Sequence, residues 1–82
     1  MSENKIGTIT HFFDRISVGI IKLDGVLKIG DKVKFQGSKT NFEQEITEMQ
    51  IEHEKIEKAK KGQEVGIKVN EEVREGDNVF LL

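Results

Sequence analysis

Four lysines, Lys55, Lys58, Lys60 and Lys61, form the densest group of cations in the chain. Ammonium groups at such spacing could contact successive phosphates of ribosomal RNA or tRNA, each displacing condensed counterions. Glu54 and Glu57 are interleaved with them, and that pattern also fits a solvated surface loop whose charges largely cancel. His11 and His53 are the two imidazoles. They lie far apart in sequence with no assignable third ligand, so no metal site is read. No serine or threonine stands with a convincing base and orienter, which leaves nucleophilic catalysis without support. Phe12 and Phe13 are adjacent, and neighbours on a strand point to opposite sides. One of the two rings therefore faces away from any core. Either the Asp14–Ser17 loop covers it, or with Arg15 it forms an anchor for a protein partner or a stacked base.

These groups sit in a chain of 82 residues, the size of one domain covering residues 1–82. Residues 1–4 are expected to be disordered. Hydrophobic residues make up 35% and charged residues 34%, enough for one small core. Thirteen basic residues against fifteen acidic give a net charge of -2, which excludes an overall basic field but not a local patch. Cysteine is absent, so there is no disulfide, thiolate zinc site or thiol nucleophile. No apolar run approaches the ~20 residues of a membrane helix, and Met1-Ser2-Glu3-Asn4 is no signal peptide. A cytoplasmic protein without a membrane role is expected.

The elements that must position these residues read mostly as strands. Ile6 to Phe13 is rich in β-formers, and Val18 to Leu23 is nearly continuous in apolar residues, as in a central strand. Gly19 within it suggests a bulge or a close backbone approach. Asp24-Gly25 and Gly30-Asp31 are turn pairs flanking Val26–Ile29, and Lys32–Phe35 alternates. Val65, Ile67 and Val69 share a face, Gly76-Asp77 is a further turn pair, and Val79–Leu82 is the last strand. Leu27–Val33 and Val73–Val79 repeat one frame: an apolar residue, two others, Gly-Asp, one other, then Val. Between Asn41 and Gly62 the periodicity changes. Phe42, Ile46, Met49, His53 and Ile56 form a helical stripe, Asn41 could cap it, and Gly62 could end it. On local signals this is a helix of about twenty residues. A strand reading requires a bulge near Thr47-Glu48 to restore the phase.

Five boxes, taken in order, resemble a known family. Ile6-Gly7-Thr8-Ile9, Gly19–Leu23, Leu27–Val33, Gly62–Ile67 and Gly76–Val79 are similar to the second, β-barrel domain of elongation factor Tu and other translational GTPases. The likeness extends from Lys5 to Leu82 and is strongest to stand-alone translation-elongation-factor-like proteins. It implies an all-β fold, a small closed or nearly closed antiparallel barrel of about six or seven strands, and it overrules the helix at Phe42–Ile56 in favour of strands flanking a loop. Inward positions would be Ile9, Val18 or Ile20, Leu27, Val33 or Phe35, Ile46, Met49, Ile51, Val65, Ile67, Val79 and Leu81. Gly25, Gly30, Asp31, Gly62, Gly66, Gly76 and Asp77 would form structural turns.

The resemblance also bounds function. No phosphate-binding Gly-x4-Gly-Lys-Ser/Thr loop is present, so no nucleotide, cofactor or GTPase activity is expected. In the family an aromatic and an acidic residue on a central strand help hold aminoacyl-tRNA; the matching positions are Gln50 and Glu52, so the stacking ring is missing. Glu43, Glu45, Glu52 and Glu54 are read as a solvated face, because a barrel this small fills its interior with side chains. The implied function is non-enzymatic: an RNA- or ribosome-associated accessory, with ribosomal RNA, tRNA or a translation-related protein as partner. The alternative is a protein-interaction module or detached subunit without a nucleic-acid role.

Overall fold

In the computed structural model, which describes residues 4–82, ten strands follow one another: β1 (Asn4–Phe13), β2 (Val18–Leu23), β3 (Leu27–Lys28), β4 (Lys32–Gln36), β5 (Asn41–Glu45), β6 (Met49–Ile51), β7 (Glu54–Ile56), β8 (Lys58–Ala59), β9 (Glu64–Lys68) and β10 (Asn78–Leu81). Asn4 opens β1 instead of belonging to a disordered tail, and residues 1–3 lie outside the described residues. No helix long and apolar enough to cross a membrane occurs among the described residues.

Eight strands form an antiparallel sheet in the order β5-β4-β10-β1-β2-β9-β6-β7, while β3 pairs with β8 separately. The all-β expectation holds, but the closed barrel of six or seven strands does not. The ladder ends at β5 on one side and β7 on the other. Ile46, just beyond β5, gives its amide to the Asp31 carbonyl and accepts from the Gly30 amide, so its backbone is committed to a turn and not to a closing strand. The sheet nevertheless coils until β5 meets the end of β9. The buried Gln44 amide bridges them, donating to the Lys68 carbonyl at 2.8 Å and accepting from the Asn70 amide at 2.7 Å.

The segment with a helical stripe is extended. Met49 pairs with Ile67, and the chain bends at Ile46–Glu48, so that Ile46 and Met49 both reach the core. Helix propensity separates most of these residues by only tenths of a kcal/mol, whereas each large apolar side chain buried contributes roughly 1.5–3 kcal/mol. Tertiary burial decides the outcome. Phe42 also finds a cross-strand partner in Phe35, with ring centroids 4.9 Å apart.

The core contains Ile9, Leu27, Val33, Phe35, Ile46, Met49, Val65, Ile67 and Val79 as expected, with Ile51 and Leu81 half-buried against it. β2 is in the opposite phase to the reading: Ile21 and Leu23 are buried, while Val18 and Ile20 lie on the outer face. A bulge in β1 between Ile9 and His11 resets the register there. Gly19 carries no bulge of its own; a Cβ there would come within 3.1 Å of Val73, itself fully buried.

Three glycine turns share one construction. In Lys28–Asp31, Lys60–Gln63 and Arg74–Asp77 the fourth residue's amide donates to the first residue's carbonyl, and its side-chain oxygen accepts from the first residue's amide. The third residue is Gly30, Gly62 or Gly76, with φ of 96°, 91° and 90°. Each turn then clasps one buried core residue by two backbone hydrogen bonds of 2.8–2.9 Å: Ile46, Leu23 and Ile9 respectively. Two turn assignments need correction. Gly66 lies in the middle of β9, and Gly25 occupies a bend without positive φ, after which β3 pairs with β8 and not with β2.

Candidate functional site

Outside the core, two of the five exposed large apolar side chains among the described residues stand together at the tip of the β1–β2 hairpin, the others being Val26, Ile29 and Leu82. Phe13 is 50% exposed and Ile16 56%. The hairpin turns through Asp14–Ser17, and the carbonyl of Ser17, at φ 54°, accepts from the Val69 amide. The Lys68 ammonium reaches the Ile16 carbonyl at 3.0 Å. These bonds fix the tip against the end of β9, so an apolar surface is held in place despite lying in a loop.

Across the sheet, Ile20 of β2 opposes Gly66 of β9, which opposes Gln50 of β6. Gly66 leaves a gap in that row, and a Cβ there would stand 3.3 Å from both Ile20 and Val18. The far wall is the β6–β7 hairpin, closed by the Ile51–Glu54 pair over a loop of two residues, Glu52 and His53. Both have positive φ, 52° and 68°. Two-residue hairpins want that geometry but ordinarily use Asn-Gly or Gly-Gly for it, and each other L-residue held there costs about 1–2 kcal/mol. The result is a groove of about 350 Å³, at the small end of ligand-binding pockets at roughly 300–1,000 Å³. Its floor is Val18, Ile20 and Gly66, with Glu64 further along β9; Phe13 and Ile16 stand at one side, and Gln50, Glu52 and His53 at the other.

Among the described residues, Ser17, Glu52 and His53 are the three non-glycine residues with positive φ. Two line this groove, and the third links its lining residues Ile16 and Val18. Backbone strain of this kind concentrates where a binding surface must be preformed.

Of the residues singled out from sequence, Phe13 lies at the groove, Phe12 packs against the core, and Arg15 is exposed in the hairpin loop. Lys55, Lys58, Lys60 and Lys61 are exposed on β7, β8 and the following turn, and none lines the groove. Lys58 lies directly opposite Lys28, a juxtaposition of like charges that destabilises a strand pair. His11 stands 3.5 Å from the Glu75 carboxylate, remote from His53 in the ladder, and no cluster of three or more His, Cys, Asp or Glu side chains suited to a metal exists among the described residues. Ile16, Val18, Ile20, Glu64 and Gly66 were not anticipated as binding residues; the available signal was Gly66 on the outer face of β9, between Glu64 and Lys68, where it leaves the apolar Val18 and Ile20 of β2 uncovered.

Residues 5–80 match the model of the family described as elongation factor Tu domain 4. The chain belongs to that family. It is 46% identical over 79 residues to an uncharacterized protease of Methanocaldococcus jannaschii, covering 95% of this chain and 19% of that protein. It is 34% identical over 77 residues to a collagenase of Porphyromonas gingivalis, covering 92% of this chain and 21% of the relative. This domain thus spans about a fifth of the length of these curated relatives. Its fold is that of the C-terminal domain of a Geobacillus thermoleovorans protein named for the U32 peptidases, with a TM-score of 0.90 at 20% identity, over 98% of this chain and 92% of that one. The elongation-factor kinship stands, but these relatives are not stand-alone translation factors. They also overturn the non-enzymatic expectation, since they are named a protease and a collagenase.

Proposed function

We propose that this chain is the β-domain of a peptidase of the protease and collagenase kind found among its relatives, and that its groove holds an extended polypeptide segment for that enzyme. The observation that carries the reading is the coincidence at one place of exposed apolar side chains, a glycine floor and left-handed non-glycine residues. An extended chain laid over Gly66 can press one side chain between Phe13 and Ile16, where an anchor gains most from desolvation. The test is an amide-shift titration with gelatin peptides. Shifts should centre on Val18, Ile20 and Gly66, and both Phe13→Ser and Gly66→Val should weaken binding at least tenfold. Shifts scattered over the surface, or indifference to both substitutions, would remove the groove from consideration.

A second reading is supported by the Lys28–Lys58 pair. Like charges opposed across a ladder, with Lys55, Lys60 and Lys61 nearby in the chain, fit an edge that receives RNA phosphates. Binding to RNA that weakens steeply with salt, with shifts at Lys58–Lys61 and none at Gly66, would favour this role.

A further inference from the structure

We infer that the groove selects polypeptide segments carrying a cationic side chain, arginine above all. This rests on the polypeptide reading of the groove and adds the chemical class of its occupant. The groove runs on past Gly66 and Gln50 to Glu48 and Lys68, so that its full length carries the carboxylates of Glu48, Glu52 and Glu64 against one ammonium. That ammonium, on Lys68, gives one of its three N–H groups to the Ile16 carbonyl and keeps its charge, so the lining carries three carboxylates to one cation. Among the side chains that line the groove the balance is therefore negative, while Lys22, opposite Glu64, and Lys55, opposite Gln50, are the cross-strand cations just outside the lining. Glu64 accepts one hydroxyl hydrogen bond, from Thr10 at 3.4 Å, which leaves most of its acceptor capacity open. Glu52 is held at the hairpin tip by a positive φ, so its carboxylate is placed by the backbone.

The same groove is lined by a half-exposed phenyl ring. Phe13 is stacked near the His11 imidazole, centroids 6.3 Å apart with the planes inclined by 25°, which steadies its orientation. A ring face and two carboxylates around one apolar trough suit a guanidinium: the plane lies on the ring, the N–H fork meets carboxylate oxygens, and the methylene stem covers Val18 and Ile20. Lysine satisfies the charge but lacks the fork. An acidic segment would set its carboxylates against those of Glu52 and Glu64.

The experiment uses three acetylated, amidated probes, Gly-Leu-X-Gly-Leu with X as arginine, citrulline or glutamate, titrated into the labelled protein. Citrulline keeps the shape of arginine and removes its charge. The arginine probe should bind roughly fivefold more tightly than the citrulline probe at low salt, the scale of one cation–π contact plus a partly exposed ion pair. That preference should vanish in Glu52→Gln with Glu64→Gln, and shrink in about 1 M salt, where screening acts over roughly 3 Å. Phe13→Leu, which keeps the apolar contact, should reduce it partially. Equal affinity for arginine and citrulline, or a preference that survives loss of both carboxylates, overturns the inference and leaves the polypeptide reading intact. Failure of every probe, and of gelatin peptides, to move the groove amides overturns both.

Discussion

Replacing Gly30, Gly62 and Gly76 by alanine tests the three clasped turns on one physical term. Each glycine has φ between 90° and 96°, and a Cβ built at any of the three meets nothing within 4 Å. Steric clash is therefore removed from the comparison and only backbone conformation remains. An L-residue forced into left-handed space costs about 1–2 kcal/mol, so each single substitution should lower the melting temperature by roughly 4–16 °C, at about 4–8 °C per kcal/mol for a domain of this size. The turns clasp different core residues, Ile46, Leu23 and Ile9, and share no partner, so the losses should add. Together they amount to about 3–6 kcal/mol, against a total stability of roughly 4–12 kcal/mol for 82 residues. The triple variant should stand at the edge of unfolding. Urea titrations should show the midpoint falling with the slope unchanged. D-alanine, introduced by chemical synthesis, reverses the sign: it favours positive φ and narrows the unfolded ensemble, giving about 0.4–1 kcal/mol of stabilisation per site. If L- and D-alanine shift the midpoint in the same direction, the cost does not come from φ and the account of these turns is wrong.

Substituting Gln44 by leucine retains the bulk but leaves the Lys68 carbonyl and Asn70 amide without their present partner. Both bonds are part-buried, so the loss should be about 1–3 kcal/mol, read as a lowered melting temperature and faster exchange of the Asn70 amide; a protected Asn70 amide would contradict the bridge. Exchanging Lys55, Lys58, Lys60 and Lys61 for glutamine should leave stability within about 0.5 kcal/mol and leave peptide binding at the groove unaltered. Any RNA affinity should fall in the same variant, and RNA retention at full strength would refute a phosphate role for that edge.

The parts of this fold that show in the sequence are those where one residue type answers one geometric demand. Gly30 and Gly76, each followed by aspartate, announced their turns because glycine supplies the positive φ and the carboxylate accepts the first amide. The third copy escaped notice as part of the same frame because Gln63 performs the acceptor role with a longer side chain. Alternation gave the inward face of β4 and β9 directly. It failed in β2, where Val18 to Leu23 is apolar almost throughout and the face is set by the bulge in the neighbouring strand. The amphipathic stripe from Phe42 to Ile56 misled for a related reason: a bend at Ile46–Glu48 spaces Ile46 and Met49 three apart in extended chain as a helix would. His53, a member of that stripe, is in fact at an exposed hairpin tip. Half of the groove was hidden for a further reason, because glutamate and histidine carry no mark of left-handed backbone; of the residues read as binding candidates only Phe13 lies in it, and Glu52 was read as part of a solvated face.

The bridge at Gln44 gives the coiled sheet a seam. Everywhere else along the sheet, parting two neighbouring strands means undoing a ladder, but β5 and the tail of β9 are joined across it by one carboxamide. Fluctuations of the native state that leave most of the interior packed should begin there, with β4 and β5 swinging as a flap hinged on β10. A mutation, a proteolytic nick or a neighbouring polypeptide acting on this margin would thus be felt long before one acting on the central strands.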